Sequence, residues 1–236
     1  MWPRWKVRLS ATYRLPVELR QHREFMTLRP FLVNMKVTFA HGLWSSTESS
    51  KVKHMRSLGW EVLAVDMHHH GWNQQEQTQA VIDAIEQHGP FDLLIGSSFG
   101  GLATANAAAL LPELDLRLLL LAPAFGYHSL LNQQLTNEEM SDWRASNQHS
   151  FHPPGWEKPV VLPYSFAEAA EDVSWPVLTH PTVVLHGVND DIVPLTHSER
   201  AVESAANAQL VKVDDGHRLH DSLHLLPSLA ERLLNR

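Results

Sequence analysis

The sequence contains no cysteine. Disulfides, thiolate nucleophiles and cysteine metal sites are therefore excluded, and the composition fits a reducing compartment, with a cytoplasmic protein as the expectation. Long apolar runs are also missing. A bilayer span needs about 18–20 consecutive apolar residues, whereas the most apolar stretch, LRLLLLAPAF, is far shorter and reads as a core strand. Positive charge is scarce outside the N-terminus. Residues 1–34 hold seven Lys or Arg against two Glu, a balance of +5 that leaves −12 on the rest of a −7 chain. An acidic body argues against nucleic acid as a partner, because phosphate contacts require clustered Lys and Arg.

What is present suits a globular protein of 236 residues, with 44% hydrophobic and 19% charged residues. Residues 1–34 stand apart as an N-terminal extension. They are Arg-rich and acid-poor, as in some targeting segments, but lack the apolar core of a secretory signal. Packing on the domain is the alternative, and WKVRLSATYRLPVELR alternates enough to pair as strands. Met35 opens MKVTFAHG, a natural start for a domain spanning 35–236.

From there strands and helices alternate. Strands are expected at Val37–Ala40, Trp60–Val65, Phe91–Ile95, Leu116–Ala122, Thr182–His186 and Leu210–Val213, and helices at Ser49–Leu58, Gln74–His88 and Leu102–Leu111. Strands this uniformly apolar, separated by helices, indicate an α/β fold with a mostly parallel sheet covered on both faces. Functional residues then belong on loops at the strands' carboxyl ends. The segment at about 127–180 breaks the rhythm: Pro153, Pro154, Pro159 and Pro163 among other prolines, no clear strand, and two helical stretches, LTNEEMSDWRASNQHSF and YSFAEAAEDV. An insertion after a strand sits over the functional edge, so a helical lid is expected there.

The chemistry starts at GSSFG, residues 96–100, a G-x-S-x-G pentapeptide between an expected strand and an expected helix. That context marks a nucleophile elbow. Ser98 occupies the sharp turn, Ser97 is the variable neighbour, and Gly96 and Gly100 avoid collisions across the turn. A serine hydroxyl needs a base, and the base an orienting acid. In this architecture the chain order is Ser, acid, His. The acid follows TVVLHG in the loop GVNDDIVP, where Asp190 has the spacing to Val193 and Pro194 that the pattern asks for, with Asp191 as fallback. The base follows the last strand in LVKVDDGHRLHD, at His217; His220 and His224 are rivals expected inside a final helix. Oxyanion donors are expected from the backbone N–H of Phe99 and of Leu43, the residue after His41-Gly42, with Trp44 a candidate pocket residue. No metal site is assigned. The spacing His217, His220, His224 has no carboxylate in register, and His68, His69 and His70, being consecutive, point to alternating faces and read as a solvated loop.

These motifs resemble the α/β-hydrolases from Met35 onward and, more narrowly, the small bacterial YqiA-type esterases. The matching stretches are HGLWSSTESSK (41–51), GSSFGGL (96–102), LLLAPAFG (119–126), LPYSFAEAAED (162–172), LHGVNDDIVP (185–194) and DDGHRL (214–219). The resemblance implies a carboxylic-ester hydrolase acting on small-molecule, short-acyl esters without a cofactor, with Ser98 as nucleophile, Asp190 as acid and His217 as base. A thioesterase or an acyltransferase on the same residues, or a non-catalytic small-molecule binder, are the alternatives.

Overall fold

The computed structural model describes residues 34–235, so the expectations for residues 1–33 lie outside the described residues. In chain order the first half runs β1 (Lys36–Ala40), α1 (Ser50–Ser57), β2 (Glu61–Val65), α2 (Gln74–His88), β3 (Leu93–Ser97), α3 (Phe99–Leu110) and β4 (Leu118–Leu121). Then come α4 (Tyr127–Gln134), α5 (Asn137–Ser146), β5 (His149–Phe151), β6 (Val160–Leu162) and α6 (Ser165–Val173). The chain closes with β7 (Thr182–Gly187), α7 (Leu195–Glu203), β8 (Ala208–Val213), a 3-10 turn at Leu223–Leu225 and α8 (Leu226–Leu234).

Six strands form one parallel sheet in the order β2-β1-β3-β4-β7-β8. The run LLLL of β4 explains why both faces must be covered. Successive side chains point to opposite faces of a strand. Leu118 and Leu120 accordingly join the cluster with α2 and α3, and Leu119 and Leu121 the cluster with α1 and α8. All four are buried, each worth about 1.5–3 kcal/mol relative to exposure. The strand order reverses between β1 and β3, so the chain leaves the sheet in opposite directions there and opens a crevice at the carboxyl edge.

Helix starts are coded locally. Asn73 and Glu76 form a reciprocal capping box on α2, and Thr136 and Glu139 do the same on α5. Beyond shifts of one or two residues at strand ends, the structure differs from the sequence expectation in two helix starts and one hairpin. Helix α3 begins at Phe99 rather than Leu102, taking two weak helix formers, Gly100 and Gly101, into its first turn. Helix α8 begins at Leu226, which leaves His220 in a turn and His224 in the 3-10 segment. The segment between β4 and β7 also contains an antiparallel hairpin, β5–β6, whose three-residue strands are too short to read by period. Its packing is aromatic. Trp143 is buried beneath it and donates its indole N–H to the Leu162 carbonyl at 2.9 Å, within a cluster that includes Phe99, Leu131 and Phe166.

Candidate active site

The turn from β3 into α3 holds Ser98 at φ 55°, ψ −121°, a left-handed conformation that a residue with a Cβ rarely adopts. Strain of this kind costs on the order of 1–3 kcal/mol and persists only where the surroundings over-determine it. Here they do. The Ser98 N–H donates to Leu121 O at 2.9 Å, and Ser98 O accepts from Leu102 N at 3.1 Å and Ala124 N at 3.0 Å. A Cβ at Gly96 would lie 2.6 Å from Gly100 O and 2.8 Å from Gly101 Cα, and one at Gly100 would strike the carbonyls of Ala40 and His41. Both glycines are therefore required by close backbone approach, as the pentapeptide implied. Ser97 remains the last residue of β3, paired with Leu121.

Two further loops converge on Ser98. Its Oγ lies 3.0 Å from His217 Nε2, although 119 residues separate the two. His217 Nδ1 lies 2.7 Å from Asp190 Oδ2. An ionised carboxylate only accepts, so Nδ1 carries the proton, and in neutral imidazole Nε2 is left to accept from the Ser98 hydroxyl. The Asp190 side chain is fully buried. Burial pushes its carboxyl up, but hydrogen bonds from His186, His217 and the Val193 N–H outweigh it and hold the group well below the usual carboxylate range. Its other oxygen accepts from Ile192 N at 2.9 Å and Val193 N at 2.8 Å. Asp191 is exposed and makes no hydrogen bond among the described residues.

Two contributors escaped the sequence reading. His186 is fully buried at the end of β7, with Nε2 3.0 Å from Val193 O and 3.1 Å from Asp190 Oδ2. Both neighbours only accept, so Nε2 carries the proton, and Nδ1 takes the Ser198 hydroxyl at 2.7 Å. The available signal was a histidine closing an otherwise apolar buried strand, since a buried polar group must find partners. The second is His68. Its neighbours His69 and His70 are exposed, in line with a solvated loop, but His68 stacks on Trp72 at 3.9 Å and donates from Nε2 to Leu43 O at 3.2 Å. Burial pushes its pKa down, which keeps that tautomer neutral and braces the loop after β1.

Above Ser98 lies a cleft of about 460 Å³, lined among others by Leu43, Trp44, Phe99 and Tyr127. The N–H groups of Leu43 and Phe99 have no hydrogen-bond partner among the described residues. Trp44 is locked by ring contacts to Trp72 at 5.6 Å and Phe151 at 5.8 Å. His220 also lines this cleft, whereas no group of three His, Cys, Asp or Glu among the described residues is arranged to hold a metal.

Solved structures with the same architecture include the alpha/beta hydrolase domain-containing protein 10 from mouse, with a TM-score of 0.67 and 21% identity over 85% of this chain and 89% of that one. A solved structure from Agrobacterium vitis S4 superposes with a TM-score of 0.71 and 19% identity, over 84% and 87% of the two chains. At these identities the likeness shows the fold alone, an α/β-hydrolase. By sequence, the chain is 30% identical over 173 residues to the Mus musculus palmitoyl-protein thioesterase ABHD10, mitochondrial. That match takes in 66% of this chain and only 56% of the relative, so the chain spans about half the length of that protein. The model of the FSH1 serine hydrolases matches residues 12–229, nearly the whole chain, and the protein belongs to that serine hydrolase family.

Proposed function

We propose that the chain cleaves carboxylic esters and thioesters of small molecules through an acyl-enzyme on Ser98. One observation carries this reading: the unbroken relay Ser98 Oγ–His217 Nε2, His217 Nδ1–Asp190 Oδ2, at 3.0 and 2.7 Å, beneath an open cleft. Ser98 Oγ attacks the carbonyl carbon as His217 Nε2 takes its proton. Asp190, already ionised, stabilises the imidazolium and holds the ring in register. The free N–H groups of Phe99 and Leu43 receive the developing oxyanion, with His68 holding the Leu43 loop. Collapse of the tetrahedral intermediate breaks the bond to the leaving oxygen or sulfur, which departs with the proton from His217. Water then repeats the sequence on the acyl-enzyme and frees Ser98. The segment between β4 and β7 acts as the lid, because its aromatic cluster includes cleft residues Leu43, Trp44 and Phe99.

Esters of short acids are the first substrates to test, and the thioesterase name of the curated relative supports adding thioesters. The measurement is hydrolysis of p-nitrophenyl esters from acetate to palmitate and of matched acyl thioesters, with Ser98→Ala in parallel. Ser98-dependent turnover that peaks at short chains is the expected result. A folded protein with no turnover on either series, and no labelling by a fluorophosphonate, overturns the reading in favour of a binding role. Acyl transfer to added alcohols or thiols in place of water would redirect it to an acyltransferase.

A further inference from the structure

The cleft has two unlike rims. Tyr127 and Leu130 line one and pack with the cluster on the α2–α3 face of the sheet. Lys51, Arg218 and His220 line the other. Lys51 and Arg218 adjoin Val52 and Leu219, which belong to the cluster on the opposite face. The rims therefore stand over opposite faces, one apolar and one cationic. The cationic rim is unusual for this chain, since only twelve Lys or Arg follow residue 34 in a segment of net charge −12.

Lys51 Nζ donates to Arg218 O at 2.8 Å, which ties the start of α1 to the loop after β8. An ammonium has three donors, and this is the one partner of Lys51 among the described residues. The Arg218 guanidinium is exposed and pairs with no carboxylate among them. Asp215, the carboxylate acting on Lys51, is occupied: it accepts from the Gly216, Asp221 and Ser222 N–H groups and from the Ser222 hydroxyl. Burial, then repulsion from Arg218, pulls the Lys51 amine down to about 8. Two cations brought together without a dedicated counter-ion leave room for one from the ligand.

We propose that this rim is an anion subsite, and that preferred substrates carry a carboxylate or phosphate on the leaving-group half. The side follows from the mechanism, on which this inference rests. His217 must reach the departing atom, and Arg218 is its chain neighbour, with His220 three residues on. The acyl half is left to the wall of Trp44, Phe99 and Tyr127. The anion binds before and during transfer, so the gain appears mainly in KM.

The test uses butanoyl thioesters of 3-mercaptopropionate, of 2-mercaptoethyl phosphate and of uncharged 3-mercaptopropanamide, followed by thiol release. A succinyl thioester of a neutral thiol places the charge on the acyl half. The wild type should favour the charged leaving groups over the amide about ten-fold or more in kcat/KM, with no such gain for the succinyl compound. Lys51→Met and the exposed-site variant Arg218→Gln should each cut that ratio several-fold, while Lys51→Arg should retain most of it. The carboxylate and phosphate arms identify which anion fits better. Turnover of the amide without preference for either anion, or a preference that survives both neutralising variants, overturns the subsite and leaves the hydrolase reading intact. Absence of Ser98-dependent turnover on all four overturns both.

Discussion

The β3–α3 turn and the segment between β4 and β7 meet over the same cleft but are held by different forces. The turn is a backbone object. Ser98 keeps its strained φ because three main-chain hydrogen bonds surround it and because two glycines let carbonyls approach where no Cβ fits. The segment is a side-chain object: short helices and a hairpin of two three-residue strands gathered around Trp143 and Phe166. A geometry set by the backbone leaves little latitude for reactive atoms. A wall set by side-chain packing can change shape with a few substitutions, which suits a role in substrate choice.

This contrast can be broken experimentally. Ser98→Ala should lower kcat on the order of 10⁴–10⁶-fold, by analogy with removal of a nucleophile that works as part of a unit, with thermal unfolding close to wild type. Persistent wild-type turnover would remove Ser98 from the chemistry. Asp190→Asn should cost about 10³–10⁴-fold by favouring the wrong His217 tautomer, whereas Asp191→Asn, at an exposed position, should fall within a few-fold. Equal losses in the two steady-state assays would undo the assignment of the acid.

Trp143→Ala acts on the other region. Burial of the indole and its bond to Leu162 predict a loss of about 3–5 kcal/mol in urea unfolding, with turnover of long acyl esters falling further than that of acetate. Parallel losses on both would mean that the segment and the elbow are one unit and that the contrast is false. His186→Asn should lower kcat about ten-fold with KM little changed, because it loosens Asp190 rather than contacting substrate. Combined with Asp190→Asn it should add almost nothing, and full additivity in that cycle would make His186 merely structural. The smallest effect concerns pH. As pH rises through about 8, Lys51 loses its charge, so the preference for anionic leaving groups should decline. Facing it are the Arg218 guanidinium, the Asp215 carboxylate, held ionised by its hydrogen bonds, and His217 and His220, so the preference should fall several-fold without vanishing. A flat ratio between pH 6.5 and 9.5 would exclude Lys51 from it.

Much of this was legible before the structure, and the exceptions have a common cause. Strands β1, β3 and β7 lie within a residue or two of where the apolar runs end in Gly or Pro. The GSSFG elbow sits where it was read, because backbone constraints are written locally in residue type. Helix α3 starts three residues early because the close packing of the elbow overrides the poor helix propensity of Gly100 and Gly101. The β5–β6 hairpin was missed because three residues carry no period. His186 and His68 were missed because their partners, Asp190 and Leu43, are brought to them by the fold.

By itself, then, the sequence determined the layered α/β plan, the strained turn and the order of Ser98, Asp190 and His217 along three loops. Residue type dictates backbone conformation and burial within a few neighbours. Only the tertiary structure decided that atoms 27 and 119 residues apart lie within 3.0 Å of each other, and that an apolar and a cationic rim share one cleft. Those are consequences of parallel strands delivering their carboxyl ends to a single edge, a distance in space that no local pattern encodes.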